Sequence, residues 1–360
     1  MLLKEINHGW ILKLRKRRIS MEQIKVLVIN DEGEDIQLEE EIISESLKRK
    51  NVGLTVKYIP AADTLSIAEE LPEADGIISV YTKFDRNTLE QMKKCKIIAT
   101  QTIGINTIDL DAATDEGICI TNVPDYCIEE VALHTVTLAL SCVRKTSTYE
   151  KLARNKIWNV EDIYKQGEIH RLQGRVYGLV SFGNIARRVA ELMKAFGMKI
   201  IAFDPFLDDA VFEEHYVQRA ESLEELFASC NIISIHTPLT PNTKGIIDIK
   251  LIEKMPRGGI LINTARGEII KEEDLYDALR EGILDSAGID VITDETELKS
   301  SLYELDNVII TPHVAYYSEE ALTECRRKAA EQIGTTIGSN IIPKYLVNKS
   351  VKGKTKAILS

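Results

Sequence analysis

The sequence lacks the surplus of positive charge that a general nucleic-acid-binding protein needs. Its 45 lysine and arginine residues are outnumbered by 56 aspartate and glutamate residues, which gives a net charge of −11 at pH 7. Because affinity for nucleic acid comes largely from neutralising phosphates, this balance argues against a nucleic-acid partner. The sequence also has no apolar run near the roughly 18 residues that span a bilayer, so we expect no membrane segment.

Closely spaced cysteine pairs are missing as well. The chain has six cysteines without any CxxC spacing, and most of them lie in apolar runs. Zinc sites and disulfide frameworks depend on paired or clustered cysteines, and disulfides also need an oxidising compartment. We therefore predict buried thiols, no metal site and a cytoplasmic location. The cysteines are Cys95, Cys119, Cys127, Cys142, Cys230 and Cys325.

Residues 1–23 are predicted to form a basic N-terminal extension. Six lysines and arginines stand against one glutamate in the first 20 residues. The segment has no long apolar core of the kind found in signal peptides. Two interpretations remain, a targeting or anionic-surface segment and an over-extended start in which Met21 rather than Met1 is the functional initiator. We favour the second.

The stretch that organises the rest of the chain is residues 176–206. An apolar run enters a turn containing Ser181 and Gly183, a helical pattern follows, and a second apolar run ends at Asp204. This is the layout of a dinucleotide-binding βαβ unit, in which Gly183, Asn184 and Ile185 would meet a pyrophosphate at the helix N-terminus. Two of the three usual glycines are absent, and Ser181 can tolerate the turn if its φ is negative. An ordinary α/β crossover with a small-residue turn is the alternative.

Asp204 indicates which dinucleotide is bound. A carboxylate at the end of the second strand accepts ribose hydroxyls and repels a 2′-phosphate, so we predict NAD rather than NADP. Short β-branched runs alternate with amphipathic stretches on both sides of this unit, six runs from residue 176 onward among them. Such alternation predicts an α/β protein with two doubly wound domains. The nucleotide domain would be residues 127–313, and residues 24–126 plus 314–346 would form the other domain.

Ligands of open α/β sheets bind beyond the carboxyl ends of the strands, so the residues that follow each run are the functional candidates. Three ionisable residues of different character follow successive runs, Arg266, Glu295 and His313. Reduction of a 2-oxo acid needs a proton donor, which His313 suits, and a neighbouring carboxylate such as Glu295 would favour its imidazolium form. A fork of donors for the substrate carboxylate is what Arg266 offers. The further cofactor candidates at strand ends are His236, Thr237, Pro238, Thr264, Ala265 and Asp290.

Each of these residues also has a simpler interpretation. An arginine after a strand is usually a surface ion-pair partner, and Glu295 lies in an acidic loop that is often only solvated. His236 and His134 are more commonly core histidines, or histidines that support a site from behind, than ligands. It is the occurrence of three such residues in one strand-end series that favours function.

Several motifs in order make the chain similar to the NAD-dependent D-isomer-specific 2-hydroxyacid dehydrogenases. The resemblance implies a Rossmann NAD-binding domain, a flavodoxin-like substrate domain and a homodimer formed through the NAD domain. It implies Arg266, Glu295 and His313 as the catalytic trio, Asp204 at the adenosine ribose and Asp290 at the nicotinamide. It also places the substrate carboxylate on the backbone of Ile103 and Gly104. The matching stretches are residues 103–135, 178–205, 236–248, 261–291 and 311–321.

Within this family, the segment after His313 most resembles the branch of the C-terminal-binding-protein corepressors. Those proteins carry a tryptophan where this chain has Tyr316, which therefore changes the wall of the substrate pocket. The resemblance implies reversible reduction of a 2-oxo acid to a D-2-hydroxy acid, with glyoxylate, hydroxypyruvate, phosphohydroxypyruvate and larger 2-oxo acids all open. The alternative is an NAD(H)-sensing binding protein like the corepressors, which the intact catalytic trio disfavours.

Overall fold

The computed structural model describes residues 22–30, 33, 35–48, 50 and 52–356. Both candidate initiators, Met1 and Met21, and most of the predicted basic extension lie outside the described residues. The chain forms two compact units, which divide between Tyr126 and Cys127 and again between Ala321 and Leu322. The first unit contains the described residues up to Tyr126 and those from Leu322 onward, and the second unit is Cys127–Ala321.

The first unit is built on a five-stranded parallel sheet with the strand order β2-β1-β3-β4-β5. This order is that of flavodoxin-like sheets, in which the strand order reverses between β1 and β3. The strands are short and rich in isoleucine and valine because both faces of such a sheet are covered. Their bounds are β1 Gln23–Asn30, β2 Gly53–Pro60, β3 Gly76–Ser79, β4 Ile97–Thr100 and β5 Cys119–Thr121.

Helices cover both faces of this sheet and bury an apolar cluster on each side. Side chains that alternate along β1 separate accordingly, with Val26 and Val28 in one cluster and Leu27 and Ile29 in the other. The helices are α1 Gln37–Leu47, α2 Thr64–Glu70, α3 Arg86–Gln91 and α4 Leu110–Asp115, joined late in the chain by α13 Glu319–Ile333, whose residues from Leu322 onward belong here. A π-helix, Gly334–Gly338, follows directly.

The second unit contains a seven-stranded parallel sheet with the order β12-β11-β10-β9-β6-β7-β8. The predicted doubly wound α/β fold is therefore confirmed in both units. The prediction of six strands here was one short, because β8 has only two residues at the sheet edge and carries no hydrophobic pattern. The strands are β6 Val176–Val180, β7 Lys199–Phe203, β8 Gln218–Arg219, β9 Ile232–Ile235, β10 Gly259–Asn263, β11 Leu284–Ile289 and β12 Val308–Ile310.

The helices of the second unit again form two layers around the sheet. Tyr177 and Leu179 of β6 face one buried cluster, and Val180 faces the other. The helices are α5 Ile128–Arg144, α6 Thr146–Arg154, α7 Val160–Tyr164, α8 Asn184–Ala195, α9 Asp209–Glu214, α10 Leu223–Ser229, α11 Ile249–Ile252 and α12 Glu272–Arg280. No helix in the described part of the chain is both long and apolar enough to cross a bilayer.

The second unit continues past the predicted domain end at His313. The amides of Val314 and Ala315 donate to the buried Asp290 carboxylate, each over 3.0 Å. The Ser318 hydroxyl donates to Glu130 of α5 over 2.7 Å. These bonds fix residues 314–321 to the second unit, and a hydrophobicity pattern gives no sign of them.

Candidate active site

His313 and Glu295 lie in direct contact at the carboxyl edge of the second sheet. His313 follows β12, Glu295 follows the neighbouring strand β11, and Nδ1 of the histidine lies 2.8 Å from Oε2 of the glutamate. The histidine side chain is 28% exposed and the glutamate side chain 42% exposed. The pair is thus accessible to a ligand, and the other ring nitrogen, Nε2, is not used by this contact.

The backbone of His313 is held in an uncommon conformation. Its φ is +52°, in the left-handed region that non-glycine residues seldom adopt. Its amide lies 2.8 Å from the Asp290 carbonyl and 3.0 Å from the Thr311 carbonyl. Such conformations persist only where surrounding contacts determine them, so the loop around His313 is a built feature of the site.

Asp290 is the main support of that loop. Its carboxylate is 1% exposed and accepts from the amides of Val314 and Ala315 and from the Thr311 hydroxyl. Burial alone would raise its pKa, but hydrogen bonds from His134, Thr311 and the two amides outweigh burial and lower the pKa below its ordinary value. The predicted contact of Asp290 with nicotinamide stays a prediction, since both carboxylate oxygens are bonded within the chain.

His134 and Thr311 complete this support. Nε2 of His134 lies 2.9 Å from the Thr311 hydroxyl and 3.5 Å from Oδ1 of Asp290. The interpretation of His134 as a supporting histidine thus agrees with its surroundings, because it contacts the residues behind His313 rather than an open surface.

Arg266 follows β10, the strand next to β11. Its Nη1 donates to the Ala265 carbonyl over 2.6 Å, and its own carbonyl accepts from Asn263 over 2.9 Å. Among the described residues, no carboxylate pairs with the guanidinium. The simpler interpretation of Arg266 as an ion-pair partner therefore has no support here, and most of its donors remain available to an anionic ligand.

Gly267 lets the Arg266 loop approach the loop that leads to Glu295. A Cβ atom at Gly267 would lie 2.1 Å from the carbonyl carbon of Ile292, a distance no side chain tolerates. The loops after β10 and β11 are therefore in backbone contact, which brings the segments of Arg266 and Glu295 side by side.

The turn after β6 forms the nucleotide candidate site. Gly183 is exposed in an extended conformation with φ −74°, and a Cβ there would meet nothing within 4 Å. The amides of Asn184 and Ile185 at the start of α8 find no acceptor among the described residues. The condition of a negative φ, under which Ser181 could tolerate the turn, is not met. Its φ is +75°, the value a glycine would supply at this position.

Asp204 lies beside this turn and is 7% exposed. Its Oδ2 accepts from the Ser181 hydroxyl over 2.9 Å and from the Phe182 amide over 3.0 Å, and its Oδ1 accepts from the Phe206 amide over 3.0 Å. The predicted ribose-binding carboxylate is thus held from both sides by the chain, with acceptor capacity remaining on Oδ1.

The other predicted cofactor residues follow β9 and β10. His236 is partly buried with Nε2 2.7 Å from the Ser234 hydroxyl, and burial lowers its pKa to about 3. Thr237 and Pro238 continue this strand end toward the surface. The Thr264 hydroxyl lies 2.8 Å from that of Thr135 in α5. These residues line the same carboxyl edge as Arg266 and His313.

Two predicted substrate residues, Ile103 and Gly104, lie in the first unit just after β4. The Ile103 carbonyl accepts from Asn122 over 2.7 Å, and the Gly104 carbonyl accepts from the Thr102 hydroxyl over 2.6 Å. Their amide groups have no acceptor among the described residues, as a carboxylate-binding loop requires. In the second unit, the Tyr316 ring meets the His313 ring edge-on with centroids 6.4 Å apart.

Comparison with known proteins identifies the family of this site. Residues 136–315 match the NAD-binding domain of the D-isomer specific 2-hydroxyacid dehydrogenases. The hydroxypyruvate reductase of Thermotoga maritima is 34% identical over 301 residues, which cover 83% of this chain and 91% of that protein. The chain belongs to the D-isomer-specific 2-hydroxyacid dehydrogenase family. The family prediction made from the sequence is confirmed.

Two further relatives of this dehydrogenase family extend the comparison. The D-3-phosphoglycerate dehydrogenase of Methanocaldococcus jannaschii is 35% identical over 268 residues, 74% of this chain. The chain spans about half the length of the D-3-phosphoglycerate dehydrogenases it matches, 50% in this case. The structure of D-lactate dehydrogenase from Aquifex aeolicus with NAD and lactic acid is 28% identical, with a TM-score of 0.76 over 93% of this chain and 100% of that chain. The resemblance to the corepressor branch stays a prediction.

Sequence reasoning gave no role to Thr311 or to the Ser181 hydroxyl in this family member. Strand register offers a signal for both. Ile289 pairs with Ile310 and Val180 pairs with Phe203, so the next residues along, Asp290 with Thr311 and Ser181 with Asp204, fall opposite each other. Once neighbouring strands are known, polar residues one step beyond the last pair become candidates for contact.

Proposed function

We propose that this family member is an NAD-dependent oxidoreductase that reversibly reduces a small 2-oxo acid to the D-2-hydroxy acid. The observation that carries the proposal is the contact between His313 and Glu295, 2.8 Å between Nδ1 and Oε2, at the same sheet edge as an arginine without a carboxylate partner among the described residues. A histidine paired with a carboxylate is a proton donor and acceptor, and the arginine is an anion-binding fork.

The residues of the second unit fit NAD. The amides of Asn184 and Ile185, which have no acceptor among the described residues, suit a pyrophosphate at the start of a 12-residue helix, and Gly183 leaves room for its approach. The Asp204 carboxylate suits a ribose with free hydroxyls. NAD, when bound, supplies or accepts the hydride of the reaction. The match of residues 136–315 to an NAD-binding domain supports this choice of cofactor.

The proton of the reaction is assigned to His313. Glu295 accepts from Nδ1–H of the ring, which fixes the tautomer and stabilises the imidazolium, so Nε2 can give a proton to the developing hydroxyl oxygen and take it back in the reverse direction. Arg266 is assigned to the substrate carboxylate and its neighbouring carbonyl oxygen. Tyr316, in edge contact with His313, is assigned to the substrate pocket.

A small hydroxy or oxo acid is the substrate class that the relatives support. Those reported above are named for phosphoglycerate, hydroxypyruvate and lactate. A panel of hydroxypyruvate, glyoxylate, pyruvate, phosphohydroxypyruvate and a branched 2-oxo acid therefore covers the range. The buried cysteines agree with the reducing cytoplasm that we propose as the location.

A homodimer formed through the NAD-binding domain is the proposed assembly. Trp158, Val160 and Tyr164 are 78%, 59% and 77% exposed, and they follow closely along one segment of the second unit. Exposed apolar side chains grouped in this way mark interaction surfaces. Light scattering should give a dimer mass for the wild type, and Trp158→Ser combined with Tyr164→Ser should reduce it to the monomer mass. A monomeric wild type would contradict the dimer.

The experiment that tests the activity is NADH oxidation by purified protein across the acid panel. His313→Gln keeps a polar side chain of similar length but replaces the imidazole with an amide that cannot exchange protons, so we expect it to bind NADH and to reduce the active acid at least about 100-fold more slowly. Tight NADH binding without reduction of any acid would contradict the enzyme proposal and favour the NAD(H)-sensing alternative.

A further inference from the structure

Ser181 occupies a backbone conformation that favours glycine, yet it is a serine. Its φ of +75° lies in the left-handed region, where a Cβ atom is strained against the backbone. A glycine at position 181 would remove this strain. The same turn does carry a glycine two residues later, at Gly183. A strained residue at a ligand-binding turn indicates that its side chain contributes something that glycine would not.

What the side chain contributes is a hydrogen bond to Asp204. The Ser181 hydroxyl donates to Oδ2 over 2.9 Å, and the next amide, that of Phe182, donates to the same oxygen over 3.0 Å. The Phe206 amide occupies one position on Oδ1 over 3.0 Å. A carboxylate has about four acceptor positions, so three are filled and the remaining one belongs to Oδ1.

We propose that Ser181 is a positioning residue that sets cofactor selection through Asp204. By holding Oδ2 on the turn after β6, it turns Oδ1 and its remaining acceptor position outward as the single contact for the adenosine ribose. A carboxylate fixed in this orientation receives a hydroxyl and repels a 2′-phosphate. One that has lost the Ser181 bond is held only by the Phe182 and Phe206 amides, so its orientation is less tightly set. The proposal rests on the proposed function, because it requires that a nicotinamide dinucleotide binds at this turn.

Two variants separate the hydroxyl of Ser181 from its Cβ atom. Ser181→Gly removes both the hydroxyl and the strain, and Ser181→Ala removes the hydroxyl but keeps the strain. We expect both variants to bind NADH about three- to tenfold more weakly than wild type, by fluorescence titration, with an equal fall in the preference for NADH over NADPH. The apo glycine variant should melt about 2 °C or more above the apo alanine variant.

The proposal would be overturned if NADH affinity depended on the backbone strain at position 181 rather than on the serine hydroxyl. If NADH affinity followed the melting temperature, so that the glycine variant bound as tightly as wild type, Ser181 would have only a structural role. A double-mutant cycle with Asp204→Asn provides the second measurement, and adding Ser181→Gly to that background should cause no further loss of NADH affinity. A full additional loss would show that Ser181 does not act through Asp204. Failure of the wild type to bind NADH at all would contradict the proposed function itself, which distinguishes the two.

Discussion

The imidazole of His313 and the carboxylate of Glu295 meet across 2.8 Å, although they follow different strands and lie 18 residues apart in the chain. Removing the charge of Glu295 while keeping its size should impair proton transfer. We expect Glu295→Gln to lower kcat/KM for the active 2-oxo acid about 100-fold, since positioned acid–base groups contribute at least that much, while NADH affinity is kept.

Glu297→Gln is the matched control for this prediction. Glu297 lies in the same acidic loop and pairs with Lys299 at the surface. Its substitution should change kcat/KM less than about twofold, because exposed ion pairs contribute little. Equal losses in the two variants would show that the acidic loop acts through its overall charge rather than through the contact with His313.

If the guanidinium of Arg266 binds a carboxylate through two parallel hydrogen bonds, another cation cannot replace it. An ammonium group keeps the charge but loses the planar pair of donors. Arg266→Lys should therefore raise KM for the 2-oxo acid and lower kcat/KM by about 100-fold or more, corresponding to roughly 3 kcal/mol of transition-state binding. Arg280→Lys, on α12 and paired with Asp277, is the control and should leave both constants near wild type. Recovery of most activity by lysine at position 266 would contradict the fork.

The edge of the sheet that carries these residues was predictable from the sequence. Strands alternate with helices, parallel strands align their carboxyl ends, and Arg266, Glu295 and His313 each follow a strand-like run. Hydrophobic periodicity is enough to reach that point, because it identifies the strands and shows that they alternate with helices, as parallel strands do. The turn at Gly183 could be identified as well, because a glycine between an apolar run and a helical pattern is a local feature of the sequence.

The bonds behind the site could not be read in the same way. Periodicity does not reveal which strands are neighbours, so the pairing of Asp290 with Thr311 and of Asp204 with Ser181 became visible only with the sheet register. The left-handed backbone of Ser181 and His313 was equally hidden, because both residue types ordinarily avoid it and only tertiary contacts impose it. The two-residue strand β8 is too short to carry a pattern.

Replacing Asp290 by asparagine should destabilise the protein. The amides of Val314 and Ala315 both need an acceptor, and an asparagine side chain offers an oxygen to one and an NH2 group to the other. We expect Asp290→Asn to lower the free energy of unfolding by about 2–3 kcal/mol at pH 7, measured with urea. Asp306→Asn, whose carboxylate is 98% exposed, should change it by less than about 0.5 kcal/mol.

Acid should narrow this difference. The fold lowers the pKa of Asp290, so its carboxylate stabilises the native state fully above the unfolded-state pKa of about 3.9 and loses that effect as the pH falls through the lower native value. The gap between wild type and Asp290→Asn should therefore be constant from pH 5 to 8 and shrink below about pH 4. A gap that widened in acid would mean that the fold raises the pKa of Asp290 instead of lowering it.

His236 should give the opposite kind of pH dependence, because its burial disfavours a positive charge. Burial lowers its pKa to about 3, while an unfolded histidine titrates near pH 6.5. Between these values the unfolded chain binds a proton that the native protein does not. His236 therefore leaves the free energy of unfolding unchanged above about pH 6.5 and lowers it progressively as the pH falls below that value. From pH 7 to pH 5 wild type should lose about 1–2 kcal/mol more unfolding free energy than His236→Gln.

The same variant should remove one imidazole resonance that does not titrate above pH 4 in the wild type. An imidazole resonance that titrated near neutrality in the wild type and vanished in this variant would contradict the assignment. Any apparent pKa near neutrality in the rate profile must then come from a group other than His236, and it should persist in the glutamine variant.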